Sequence, residues 1–138
     1  MIRFAFSDVH IDGARPKDAI DIMLRIVATF TVAAEEIELF SEEEFPIVEL
    51  AAQLDYWLRR DDGQPFTYDS AESEDVLLSF KPETQGWRIG SAIQKRRPDR
   101  LFALEELRNA ASSYVGSVKR DVKATLNVDV TPAFRLRR

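Results

Sequence analysis

Residues 41–58, SEEEFPIVELAAQLDYWL, join an acidic run to a stretch in which apolar residues recur at intervals of three and one. This spacing places the apolar side chains on one side of an α-helix. They are Ile47, Leu50, Ala51, Leu54, Trp57 and Leu58. The stretch therefore predicts an amphipathic helix that packs one side against the remainder of the domain.

Three glutamates stand just before this helix, and two helix starts fit them. Ser41 followed by Glu44 has the spacing of a capping box, but Pro46 would then lie inside the helix, where its ring clashes with the preceding turn. Pro46 at the first helical position avoids this clash. Under either start the carboxylates lie at the positive end of the helix dipole, so the run is interpreted as a helix start and not as a metal site. Only Glu44 has capping-box spacing, which leaves Glu42 and Glu43 as candidate contacts for a partner.

Strands are predicted upstream of this helix. Apolar residues occupy the even positions from 20 to 32, and this period of two favours one long strand with antiparallel neighbours. Residues 33–36 predict a turn into a short strand at 37–40. Near the N-terminus the apolar residues change from even to odd positions, which predicts a β-bulge near Ser7 or Asp8.

Downstream of the helix the chain returns to strands and then to a second helix. Residues 66–68 predict a short edge strand, and KPETQG at 81–86 predicts the turn of a hairpin between two alternating stretches. A long helix is predicted to begin at Pro98 or Asp99. Residues 127–138 lack periodicity and end in RLRR, which predicts an irregular basic C-terminal tail.

One domain is predicted for residues 1–126, because no linker rich in glycine, serine or proline divides the chain and 138 residues is close to the size of one core. The element order is strands, helix, strands, helix, with hairpins instead of repeated βαβ units. We therefore expect an α+β fold in which an antiparallel sheet of about five or six strands carries two helices packed on one face.

Charge is distributed unevenly along the chain. Residues 1–75 hold 6 Lys/Arg and 18 Asp/Glu, a net of −12, whereas residues 76–138 hold 13 and 6, a net of +7. Two interpretations are open: the halves neutralise each other within one fold, or the acidic half forms a surface that attracts a basic protein. Nucleic acid is not an expected partner of a chain with a net charge of −5, because phosphate binding needs a positive surface.

The compartment is inferred from cysteine content and hydropathy. The chain has no cysteine, which removes disulfides, thiolate metal sites and cysteine nucleophiles and fits a reducing compartment. The N-terminus meets Asp8 before an apolar stretch of secretory length forms, and no segment reaches the roughly 18 uncharged apolar residues of a membrane span. A cytoplasmic protein that does not enter a membrane is therefore expected.

No residue pattern specifies a reaction. His10 alternates with Asp8 and Asp12 as a metal triad on a strand would, but closure needs a curled strand or a fourth ligand, so an exposed polar turn is favoured. No nucleophile elbow and no glycine-rich phosphate loop is present. An acid–base pair such as Glu49 with Asp55 is arbitrary without geometry. We therefore predict no catalytic residue, no metal and no cofactor, and a protein that is not an enzyme.

Acidic residues are concentrated between positions 61 and 75, with a spacing that matches no EF-hand calcium loop. A tyrosine beside carboxylates is typical of protein-binding surfaces, although core packing is the commoner role of Phe66 and Tyr68. We predict a partner-binding surface that comprises Asp61, Asp62, Tyr68, Asp69, Glu72, Glu42 and Glu43. A basic run follows at Lys95, Arg96, Arg97 and Arg100. It either binds phosphate or keeps a strand end soluble.

Three stretches carry a resemblance to a known group of proteins: EEFPIVELAAQLDYWLR, PFTYDSAESEDVLLSF and GWRIGSAIQ. The group consists of small acidic bacterial proteins that resemble the immunity proteins encoded beside polymorphic toxins. The resemblance covers roughly residues 20–122. It depends on the order of elements and on a few residues, notably Pro46, Glu49, Leu50, Trp57, Tyr68, Ser70, Glu72 and Trp87. It implies a protein without catalysis or cofactor that binds its cognate toxin and blocks the active site or substrate groove. It assigns no binding residue, because immunity proteins diversify at that surface.

A small ligand-binding domain or enzyme is the alternative, with a pocket between the sheet and the helices. Trp57, Tyr68 and Trp87 would line that pocket. Tryptophans are more often core residues, so enclosure of both, with no cavity beside them, would remove the main support for this alternative.

Overall fold

The computed structural model describes residues 1–98 and 100–136. The strands of this part of the chain are β1 (Ile2–Ile11), β2 (Ile26–Ala34), β3 (Ile37–Phe45), β4 (Phe66–Thr67), β5 (Ser79–Glu83) and β6 (Gly86–Gly90). The helices are α1 (Ala19–Arg25), α2 (Ile47–Arg60), α3 (Leu104–Leu126) and α4 (Thr131–Phe134). The predicted α+β class is confirmed.

The described strands form two antiparallel sheets of three strands each, in the orders β1-β2-β3 and β4-β5-β6. The prediction of one sheet of five or six strands carrying two helices is therefore wrong. The two sheets are separate because α2 intervenes between β3 and β4, and β4 then pairs with β5 instead of returning to β3. The predicted edge strand and the hairpin around 81–86 are both present in the second sheet.

Strand β1 contains a β-bulge, as its change of apolar phase predicted. The register with β2 shifts between Ser7 and His10, and Asp8 there has a φ of 58°. The extra residue bends the strand. The predicted turn at 33–36 is also present, because Glu35 and Glu36 both have positive φ, as the central residues of a type I′ hairpin turn do.

The long strand predicted over residues 20–32 is wrong in its first half, where α1 forms instead. Asp18 caps α1, because its carboxylate accepts a hydrogen bond of 2.8 Å from a backbone N–H of the first turn. Ile22 is buried, whereas Ile20 is 57% exposed. The prediction failed because the positions of Ile22 and Ile26 fit a helical interval of four as well as the alternation of a strand.

The glutamates before α2 belong to a strand and not to a helix start. β3 continues to Phe45, well past the predicted end at residue 40, and Pro46 is the N-cap of α2. Of the two predicted helix starts, the capping box is wrong, because Ser41 lies opposite a β2 residue and Glu44 has a left-handed φ of 52°. The start at Pro46 is one residue early, since the helix begins at Ile47. The six-residue apolar side predicted for the helix itself is buried or half-buried.

Helix α3 closes the core over α2 and β1. Tyr114 of α3 lies with its ring centroid 5.6 Å from that of Phe30, and its hydroxyl donates a 2.8 Å hydrogen bond to the Ile47 carbonyl. Burial raises the pKa of Tyr114 well above its ordinary value. α3 begins at Leu104, later than predicted, and the candidate start at Asp99 lies outside the described residues. None of the helices in the described chain is long and apolar enough to cross a membrane.

The predicted irregular tail, residues 127–138, is wrong for the part that the structure describes. Val128 and Val130 are buried, and α4 follows them with Ala133 buried as well. The side chain of Arg15 donates hydrogen bonds to two carbonyls at the end of α3 and so holds the start of this segment. The last two arginines of the predicted basic tail lie outside the described residues.

Candidate functional site

Helix α2 carries a row of hydrogen-bonding side chains along one line of its surface. Glu49, Gln53 and Trp57 follow one another at intervals of four, so they lie on the same side of the helix. All three are buried. Glu49 and Gln53 therefore need partners, since a buried polar group without a hydrogen bond costs about 1–3 kcal/mol.

Those partners belong to residues 64–75, which we call the return segment because it runs back along α2. The Trp57 indole N–H donates a 2.8 Å bond to the Gln64 carbonyl. The Gln53 side-chain amide bonds Asp69 twice, donating to its carbonyl at 2.8 Å and accepting from its N–H at 2.9 Å. Nearer the start of the helix, Glu49 Oε1 accepts a 3.4 Å bond from the N–H of Ala71. The segment is thus fixed at three successive points.

The return segment presents acidic side chains outward from these fixed points. Asp69, Glu72, Glu74 and Asp75 are exposed, and among the described residues none of their carboxylates forms an ion pair. The hydroxyl of Ser70 accepts a bond from the N–H of Glu72, and a similar local bond joins a serine to Asp75. Four negative charges therefore stand on a backbone that is hydrogen-bonded at both ends of the acidic stretch.

Tyr68, predicted to lie on the partner surface, is a core residue and this assignment is corrected. Its side chain is 1% exposed, its ring centroid lies 5.5 Å from that of Phe45, and its hydroxyl donates a 2.6 Å bond to Glu49. The carboxylate bonded to Tyr68 is thus that of the buried Glu49, whereas the acidic residues near Tyr68 in the sequence are exposed. The core alternative that was open for Phe66 and Tyr68 is the one observed.

The other predicted partner residues divide into two groups. Asp61 and Asp62 are already ion-paired, Asp61 with Arg108 at 3.2 Å and Asp62 with Arg60 at 2.7 Å. Glu42 is half-buried and Glu43 is exposed, and both lie on β3. β3 ends at Phe45, beside the ring of Tyr68, so the end of this strand is next to the return segment.

His10 bridges the bulge of β1 and the end of β3. Its Nδ1 is 2.7 Å from the Asp8 carbonyl and its Nε2 is 3.0 Å from a Glu44 carboxylate oxygen. The hydrogen bond to the Asp8 carbonyl raises the pKa of His10 most, burial opposes the rise, and the charge of Glu44 adds to it. Among the described residues no group of three His, Asp or Glu side chains is arranged to hold a metal ion.

A second charged cluster joins the start of β1, the β2–β3 turn and the start of α3. Arg100 donates to Glu35 at 2.6 Å and to Glu106 at 2.8 Å, and the amino group of Met1 also pairs with Glu35. The hydrogen bond from Arg100 lowers the pKa of Glu106 to about 2. The hydrogen bond from the amino terminus, followed by that from Arg100, lowers the pKa of Glu35.

Two cavities among the described residues are large enough to consider, and neither is the pocket predicted between sheet and helices. Trp57, Tyr68 and Trp87 are all buried, and none of them lines either cavity. A groove of about 720 Å³ lies along the start of β1 and α3. A cavity of about 500 Å³, here called the arginine pocket, lies between β3 and the loop that precedes α3. The residues that carried the ligand-binding alternative therefore serve the core.

Gln53 was missed by the sequence analysis although a signal was present. It stands within the buried side of the α2 repeat, where a long polar side chain needs a partner. Its position midway between Glu49 and Trp57 completes the row at intervals of four. The identity of that partner required the structure, since Gln53 and Asp69 are sixteen residues apart.

The chain matches the model of a protein family. The family described as a domain of unknown function (DUF7878) matches residues 2–124. The chain belongs to this family. The matched range includes α2 and the whole return segment and ends within α3. No curated protein and no solved structure matches the chain.

Proposed function

We propose that this chain is a non-catalytic protein-binding module that contacts a basic partner protein through its return segment. The observation that carries the proposal is the set of four exposed carboxylates on a segment that is bonded to α2 at Gln64, Asp69 and Ala71 and that forms local serine bonds at Glu72 and Asp75. A fixed loop loses little conformational entropy when it binds, so more of the interaction energy appears as affinity. Unpaired carboxylates also attract a positively charged surface before contact.

The finer proposal is that the module is an immunity-type inhibitor that neutralises a cognate bacterial toxin in the cytoplasm. It rests on the resemblance described above and on the absence of cysteine. Glu49, Trp57, Tyr68 and Glu72, four of the residues that carry that resemblance, belong to the return segment or to the row on α2 that holds it. A basic toxin domain is the partner that complements the four charges.

The test is association with the product of a toxin-like gene adjacent to the gene for this chain. We expect a complex at micromolar concentration, with an association rate that falls as salt is added because screening weakens attraction between the charged surfaces. The variant D69N/E72Q/E74Q/D75N should associate about tenfold more slowly at low salt. At high salt the association rates of this variant and of the unmodified protein should differ little.

The matched control is D12N/E36Q/E38Q/E105Q, which removes the same number of charges from exposed carboxylates elsewhere. It should reduce the association rate less than about twofold. No complex between the two folded proteins would overturn the immunity-type proposal. Equal losses in the two variants would assign the attraction to net charge and remove the return segment from the proposal.

A further inference from the structure

The arginine pocket combines an apolar interior with cationic side chains at its rim. Its volume of about 500 Å³ is within the range of about 300–1,000 Å³ that small-molecule sites occupy. The residues that line it are Ala34, Glu35, Ile37, Leu39, Arg96, Arg97, Pro98, Arg100 and Phe102. Three of these come from the basic run that the sequence analysis left with two interpretations.

Both walls of the pocket are held by main-chain hydrogen bonds. On one side the N–H of Lys95 donates a 2.9 Å bond to the Leu39 carbonyl, which attaches the loop to β3. On the other side Phe102 exchanges two backbone bonds with Trp87, of 2.8 Å and 2.9 Å. A side chain at Gly86 would come within 2.8 Å of Leu101, so the hairpin is packed tightly against this wall. The described backbone at Lys95 and at Phe102 is thus attached to one sheet on each side of the cavity.

The interior of the pocket is apolar and accessible. Leu39 and Phe102 are buried and form its floor, and Ile37 is 44% exposed at its mouth. An apolar ligand that covers Ile37 would remove its apolar surface from water, which favours binding. The floor therefore accepts an apolar body.

The charged side chains among the described lining residues are three arginines and one glutamate. Arg100 pairs with Glu35 and Glu106, and Glu35, the one carboxylate among the described lining residues, also pairs with the amino group of Met1. Arg96 and Arg97 form no ion pair with any described residue. A guanidinium group binds carboxylate and phosphate oxygens through two parallel hydrogen bonds.

We propose that the arginine pocket binds an amphipathic small molecule, namely an apolar chain that carries one anionic oxygen head group, carboxylate or phosphate. The chain lies over Ile37, Leu39 and Phe102, and the head group is bound by Arg96 and Arg97. This site uses the basic half of the chain and is independent of the return segment. It also assigns a role to the basic run other than keeping a strand end soluble.

Calorimetric titration with three probes of equal chain length tests the proposal: sodium octanoate, octyl phosphate and octanol. Both anions should bind at one saturable site, and octanol should bind about tenfold more weakly because it makes no charge-assisted hydrogen bond. The tighter of the two anions identifies the head group. No saturable binding by either anion, or equal binding of octanol and octanoate, would overturn the proposal.

Variants of exposed side chains locate the site. R96Q/R97Q should weaken octanoate binding about tenfold, whereas K81Q/R135Q, which removes two exposed cations elsewhere, should change it less than twofold. I37N should weaken all three probes, since it removes apolar surface at the mouth. Melting temperatures close to that of the unmodified protein will verify that each variant is folded. Unchanged octanoate affinity in R96Q/R97Q would contradict the assignment.

Discussion

Two residues with left-handed backbone conformations meet at one histidine. Asp8 has a φ of 58° and Glu44 a φ of 52°, a region that costs an L-residue roughly 1–2 kcal/mol. The ring of His10 contacts the carbonyl of the first and the carboxylate of the second. Both contacts use ring nitrogens as donors when the imidazole is protonated, so the charged histidine offsets part of the cost of the two conformations.

The pKa of His10 should therefore lie above the ordinary value of 6.5. A folded-state pKa that is raised means that His10 stabilises the fold below pH 6.5 and that this stabilisation is lost as the pH rises through the raised pKa. Titration of the ring protons by NMR measures it. Glu44→Gln should lower the pKa without restoring the ordinary value, because the Asp8 carbonyl is the larger cause.

The control for this titration is Asp12→Asn. Asp12 raises the pKa of His10 only through its charge, and it is the smallest of the causes. Its substitution should therefore lower the pKa less than Glu44→Gln does. An unchanged pKa in Glu44→Gln would show that the His10–Glu44 contact is not maintained in solution.

At the scale of elements, α2 has two packing surfaces. Its apolar side, which includes Leu50 and Leu54, is buried in the core. Its row of Glu49, Gln53 and Trp57 holds the return segment through main-chain groups. The segment is thus ordered by α2 as well as by the pairing of β4 with β5.

Substitution of Gln53 tests this dependence. Gln53→Ala removes both bonds to Asp69 and should lower the free energy of unfolding by about 2 kcal/mol, since the freed backbone groups are partly buried. Amide exchange at Asp69 should become faster because the segment opens locally. Urea unfolding and hydrogen exchange measure the two effects.

Gln64→Ala is the matched control, because Gln64 is exposed and only its main-chain carbonyl is used by Trp57. It should change the free energy of unfolding by less than about 0.5 kcal/mol. Similar stabilities of the two variants would contradict the anchoring role of Gln53.

Local spacing predicted α2, the second hairpin and the bulge because each depends on neighbouring residues alone. It failed at residues 20–25, where Ile22 and Ile26 fit two periods and the Asp18 cap decided between them. It placed Tyr68 on the surface because the partner of its hydroxyl, Glu49, is nineteen residues away. Of the four acidic side chains of the candidate site, Asp69 and Glu72 were predicted as partner-binding residues from the sequence, whereas Glu74 and Asp75 were not, and the contacts that fix the segment depend on tertiary packing.

At the scale of the whole molecule, part of the opposite charge of the two halves is neutralised internally. Glu35 pairs with Arg100 and Asp61 pairs with Arg108, and each pair joins the acidic half to the basic half. Other charges remain unpaired among the described residues, including those of the return segment and of the arginine pocket. The interpretation of internal neutralisation therefore holds for these pairs, and attraction of a basic protein by the unpaired acidic residues remains the proposal made above.

The ion pair between Arg100 and Glu106 should make the free energy of unfolding fall as the pH becomes acidic. A carboxyl with a pKa lowered to about 2 stabilises the fold above its unfolded value of about 4.5, and this contribution is lost as the pH falls toward 2. Glu106→Gln should lower the free energy of unfolding by about 1 kcal/mol at pH 7, because a partly exposed pair contributes less than its pKa shift alone implies. Urea unfolding should show the difference shrinking by about half at pH 3.

Glu105→Gln provides the comparison on the same turn of α3, where an exposed carboxylate makes no ion pair with a described residue. Its effect should stay below about 0.5 kcal/mol at either pH. A loss in Glu106→Gln that is the same at pH 7 and pH 3 would show that the contribution is not one of charge.

The attachment of the return segment to α2 by hydrogen bonds has an evolutionary consequence. Its bonds at Gln64, Asp69 and Ala71 reach main-chain atoms, which every amino acid except proline supplies in full. Side chains at the exposed positions of the segment are therefore free to mutate without loosening its attachment. A lineage with this arrangement can exchange one binding specificity for another while it retains its fold, with selection acting on the helix and on the buried side chains of Phe66 and Tyr68.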